Sequence, residues 1–207
     1  MTESVHGARA DILAKIRYAL ADHPEQQAIP RDYETSRDVG DLVDLAEERI
    51  ADYKATVHRS TDLVRTITEV LTARGRKRMI GPADLPKEWQ IPGIDWTLDD
   101  PSLDTGTMAG SDGVLTGCAA AIAETGTIIL DSGAAQGRRV LTLLPDYHLC
   151  VIRAGQIVGT VPEAIARVRP DRPITFVSGP SATSDIEFDR VEGVHGPRTL
   201  DVIIASR

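Results

Sequence analysis

Residues 121–130 read Ala-Ile-Ala-Glu-Thr-Gly-Thr-Ile-Ile-Leu, an acid, two threonines and a glycine set between two apolar runs. A carboxylate in such a place must be paired, hydrogen-bonded or turned toward a cleft, because burying it alone is prohibitive. Glu124 therefore reads as a candidate nucleophile or general base. Ala123 and Gly126 are small enough to let a substrate reach the backbone, and Thr125 and Thr127 supply hydroxyls. The plainer reading of Glu124 is a turn cap, or an ion pair with Arg138 or Arg139; spacing alone does not separate the two.

Two later segments carry the same polar, turn-forming texture. Ser178-Gly179-Pro180-Ser181-Ala182-Thr183-Ser184-Asp185-Ile186-Glu187 follows an apolar strand, the position at which open α/β sheets hold ligands. Gly179 permits a tight turn there, while Ser178, Ser181, Thr183 and Asp185 offer groups to a small anionic or sugar-like ligand. The segment lacks the lysine of a Walker loop and any GxGxxG pattern, so no nucleotide specificity is encoded. In Gly193-Val194-His195-Gly196-Pro197, His195 can carry a proton or brace a turn. Metal companions such as Asp185, Glu187 or His148 match no zinc or iron spacing, and no metal site is expected. A small acid would also need a cation, and Arg138, Arg139 and Arg198 are the nearest in sequence.

These groups need a scaffold. At 207 residues, with 42% hydrophobic and 26% charged residues, the chain suffices for one substantial core with a helical appendage. A net charge of −8 argues against nucleic acid as a partner. The basic run Arg74-Gly75-Arg76-Lys77-Arg78 reads as compensation of a helix C-terminus, with Gly75 as the stop. Met1–Ile16 has no apolar signal core, and no run is long enough to span a membrane; a cytoplasmic protein is expected. The two cysteines, Cys118 and Cys150, are too few for an iron–sulfur cluster, which takes four ligands.

Helical periodicity appears at Ile12, Ile16, Ala19 and Leu20, and again at Val39, Leu42, Val43, Ala46 and Ile50. Residues 1–52 are thus expected to form an N-terminal helical segment and residues 53–207 an α/β domain. Expected strands are Tyr53–Arg59, Met79–Gly81, Ile94–Leu98, Val114–Thr116, Thr127–Leu130, Val140–Leu144, His148–Arg153, Gln156–Val158, Ile174–Val177 and Leu200–Ala205. Helices are expected after Asp62 and Pro162. The order implies an open mixed sheet.

The motifs IAETGT, LLPDYHLCVI, SGPSATSDIE and GVHGP, in this order and spacing, resemble the LUD domain, and more narrowly the lactate utilization protein C family (LutC/YkgG). The resemblance covers residues 105–205 well and the N-terminal helices loosely. It implies a fold similar to the NagB/RpiA/CoA-transferase group. It also implies a part in oxidising L-lactate to pyruvate beside partner proteins that hold the iron–sulfur clusters, with no cofactor in this chain. Glu124-Thr125-Gly126 is similar to the catalytic glutamate and glycine of some members of that fold group. A free-standing CoA-transferase-like or sugar-phosphate-isomerase-like enzyme using Glu124, and a non-catalytic scaffold or regulator, are the competing expectations.

Overall fold

A computed structural model describes residues 3–21, 28–100, 103–183, 191–192 and 196–206. The chain divides into two compact units, Met1–Tyr33 and Glu34–Arg207. The first holds α1 (Glu3–Ala19). The second runs α2 (Leu42–Asp52), β1 (Thr56–Ser60), α3 (Leu63–Ala73), β2 (Arg78–Gly81), β3 (Asp95–Leu98), α4 (Thr105–Ala109), β4 (Gly113–Thr116), β5 (Ala120–Ile122) and β6 (Thr127–Leu130). It continues with β7 (Tyr147–Arg153), β8 (Ile157–Val158), α5 (Val161–Arg167), β9 (Thr175–Val177), β10 (Ala182–Thr183), β11 (Val191–Glu192) and β12 (Thr199–Ala205).

The fold is α/β, with helices packed on a sheet dominated by parallel strands. Six strands in the order β1-β12-β7-β4-β2-β3 form the main sheet, and every pairing in it is parallel. Its mixed companion is a four-stranded sheet, β8-β5-β6-β9, in which β6 runs antiparallel to both neighbours. Strands buried on both faces need apolar residues at successive positions. Leu149–Ile152 supply them: Leu149 and Val151 join Ile67 and Leu71 of α3, whereas Cys150 and Ile152 join Ala46 and Ile50 of α2. The small sheet uses the same alternation. Ala121 and Ile128 face the cluster that contains α2, and Ile122 and Ile129 pack with Ala164 beneath α5. Helix α2 thus shares its core with the α/β unit.

Local chemistry sets the boundaries. The Asp41 carboxylate caps α2 through the Val43 and Asp44 amides, and Asp62 caps α3 through Arg65. Gly75, at φ +64°, stops α3 as the left-handed residue expected there. The arginines of the basic run around it are engaged internally. Arg74 makes a two-pronged pair with buried Asp201, Arg76 lies 4.7 Å over the Tyr147 ring, and Arg78 pairs with Asp112.

One expected strand is corrected. Val140–Leu144 is a 3-10 turn spanning Arg139–Thr142. Leu141 in the turn is fully buried and Leu144 after it is exposed, so the run buries one side of a turn rather than alternate residues of a strand. Pro145 follows and has no amide to give to a ladder. Among the described residues, no helix is long and apolar enough to cross a membrane.

Candidate functional site

The antiparallel register Ile122↔Thr127 leaves residues 123–126 as the turn of a hairpin. Ala123 and Glu124 donate their amides to the Val158 and Gly159 carbonyls, which ties the turn to the end of β8. Gly126 sits at φ +61°, where a Cβ would stand 2.4 Å from the Arg49 carbonyl oxygen. No other residue fits against α2 there. The Glu124 carboxylate forms an ion pair, with Arg37 rather than with Arg138 or Arg139. Both side chains remain well exposed, so the pair is a surface contact of modest strength. The segment that carries Arg37 is held as a strap at Glu163, which accepts from the Arg37 and Gly159 amides.

The hairpin connects to the 178–181 loop through hydroxyls. Thr125 Oγ1 donates to Thr127 Oγ1 at 2.8 Å, and Thr127 Oγ1 lies 2.9 Å from Ser178 Oγ. Gly179, at φ +84°, lies against Tyr53, where a Cβ would approach the Tyr53 carbonyl oxygen to 2.7 Å. The Ser181 amide donates to the Pro197 carbonyl at 2.8 Å. That bond draws the loop onto the segment leading into β12.

Between these two segments lies a cleft of about 290 Å³, lined by Arg139, Thr142, His148, Ser178–Ser181 and Gly196, with Phe176 and Leu200 among its apolar walls. This size is at the small end for ligand pockets and suits a compact molecule. The cleft opens at the carboxyl end of β9 and at the amino ends of β7 and β12. It therefore uses the small sheet, not the main one, in the manner anticipated for strand ends. His148 is buried, its Nε2 lies 2.8 Å from Thr116 Oγ1, and burial lowers its pKa to about 4. It is a neutral group at physiological pH.

The three candidate arginines separate clearly. Arg138 grips Asp99 at 2.6–3.1 Å, and Arg198 grips Asp146 at 2.5 and 2.8 Å. Arg139 donates to the Thr142 hydroxyl at 3.3 Å and makes no ion pair among the described residues. Partial burial lowers its pKa from the ordinary arginine value, which is far above neutrality, so it stays charged. A guanidinium facing a cleft without a carboxylate partner is equipped to take one from a ligand.

Of the residues anticipated from sequence, Thr125, Thr127, Ser178, Gly179 and Ser181 come together around one hydroxyl chain and one loop. Gly126 serves the packing of α2, and Glu124 turns to Arg37 outside the cleft lining. Thr183 belongs to β10, which pairs with β11. Asp185 and His195 lie outside the described residues. Thr142 and Phe176 were not anticipated, and His148, considered in sequence only as a metal companion, lines the cleft instead; the Val140–Leu144 stretch looked like an apolar strand, which hid Thr142 as a wall. Among the described residues, no group of three or more His, Cys, Asp or Glu could hold a metal ion.

The model of the LUD domain matches residues 43–205. Lactate utilization protein C of Deinococcus radiodurans is 44% identical over 203 residues, covering 95% of each chain. The uncharacterized protein YkgG of Escherichia coli is 40% identical over 84 residues, 37% of this chain and 36% of that one. A crystal structure of a DUF162 family protein from Deinococcus radiodurans has a TM-score of 0.68 and 43% identity, covering 80% of this chain and 96% of that one. Fold, motifs and relatives agree, and the chain belongs to the LUD domain family.

Proposed function

We propose that this chain is a cytoplasmic component of an L-lactate utilization system, and that it oxidises L-lactate to pyruvate together with iron–sulfur partner proteins. Its part is to hold the small acid. The observation that carries this reading is Arg139, charged, lining a compact cleft and unpaired among the described residues, while both neighbouring candidates are bound to aspartates. Arg139 receives the carboxylate, and the Thr142 and Ser178 hydroxyls face the 2-hydroxyl group. The extensive similarity to a relative named for lactate utilization supports the choice of substrate. The oxidation releases two electrons and two protons. Two cysteines fall short of a cluster's four thiolates, so this reading gives electron transfer to the partners.

Glu124 in this account is a positioning residue that fastens the Arg37 strap to the hairpin. A clean deletion of the gene should abolish growth on L-lactate as sole carbon source, and the tagged protein should co-purify with iron–sulfur proteins. Normal growth of the deletion strain would contradict the proposal. Loss of all turnover in a well-folded Glu124→Gln protein would instead favour an enzyme centred on that carboxylate.

A further inference from the structure

A second recess lies at the carboxyl ends of β2, β3 and β6, where the chain leaves Gly81, Leu98 and Leu130. It measures about 750 Å³, and its walls include Ala83, Gly133, Ala134, Arg138, Arg172 and Pro173. Strand carboxyl ends are the usual ligand position in an open α/β sheet, and the smaller cleft does not use those of the main sheet. Arg139 borders both spaces.

The charges are unevenly matched. Arg138 is saturated by Asp99, and the Asp84 carboxylate accepts the Ala135 amide at 2.9 Å. Arg172, like Arg139, has no ion pair among the described residues. Its Nη1 lies near Gly133, where a Cβ would meet it at 3.3 Å and the Asp131 Oδ1 at 2.7 Å, which places the guanidinium at the 131–137 loop on the side of that carboxylate. That loop holds Ser132 at φ +55° and Ala135 at φ +56°, a conformation that side chains resist and that gathers at ligand sites. An arginine with no ion pair among the described residues, beside small apolar walls, is equipped for an anion carrying an organic part.

We infer that this groove binds an organic phosphate of nucleotide size, its phosphate on Arg172, and its organic part on Ala83, Ala134 and Pro173. The site is distinct from the small-acid cleft, since Arg172 lines only the groove.

Calorimetric titration of the full chain with ADP as the probe tests this. ADP should bind the wild-type protein, Arg172→Gln should weaken it at least 10-fold, and Arg172→Lys, which keeps the charge but not the fork, should fall between. Arg65→Gln, exposed elsewhere, should bind as wild type does. Thermal melts confirm that each variant is folded. Absence of ADP binding at millimolar concentration, or equal binding by wild type and Arg172→Gln, would overturn the inference. Inorganic phosphate binding as tightly as ADP would overturn the nucleotide-sized ligand. L-lactate binding by Arg172→Gln should be unchanged, which separates failure here from failure of the lactate reading.

Discussion

Arg138 and Arg139 are neighbours with opposite duties, and the difference comes from which carboxylate each can reach. The first is clamped to nearly buried Asp99, so Arg138→Gln leaves that acid without its partner and should lower stability, read as a fall in melting temperature. Small-acid binding should survive that change. His148 makes a second prediction. Its pKa falls from an unfolded value near 6.5 to about 4 on burial, so the unfolded chain binds the proton more readily throughout that interval. Stability should therefore be full above pH 6.5 and decline by about 3 kcal/mol as pH drops toward 4. Denaturant melts at stepped pH check this, and His148→Gln should flatten the slope. A slope unchanged in the variant would remove His148 from the account. Sequence could name Glu124 as a charge in need of a partner, because hydropathy shows where a charge is out of place. It could not name Arg37, since that pairing depends on how a distant strap crosses the hairpin.

At the scale of elements, the hairpin between β5 and β6 is fastened to α2 by an approach that only glycine permits. Gly126→Ala adds both an unfavourable φ and a collision with the Arg49 carbonyl. It should cost at least about 2 kcal/mol, visible as a lower melting temperature. A melting temperature equal to wild type would mean the approach is looser than described. The paired strands β1 and β12 hold a second point of tension. Asp201 is fully buried, and although burial opposes its charge, the neighbouring His58, Arg74 and Tyr147 keep its pKa well below the usual carboxylate range. Asp201→Asn should lower stability by roughly 3 kcal/mol. Most strands were legible because alternation and β-branched runs mark them, and Asp62 and Gly75 announced the ends of α3. The Arg139–Thr142 turn was not, because a short apolar run looks the same whether it feeds a sheet or a turn.

For the molecule as a whole, an α/β class followed from the order of apolar runs, and the motifs pointed to the family that the comparisons bear out. The division of strands between a parallel sheet and a small mixed one could not be read, since it depends on pairings between residues distant in the chain. That division places the small cleft at the end of β9, against the start of β12, where Arg139 makes no ion pair among the described residues. Calorimetric titration of the purified protein with L-lactate, wild type beside Arg139→Gln, tests this most directly. Binding to the wild type should weaken by roughly 30-fold or more in the variant, matching the loss of about 2 kcal/mol or more expected when one charged partner is removed. Equal affinity of the two proteins, each confirmed folded, would contradict the assignment of the carboxylate to Arg139.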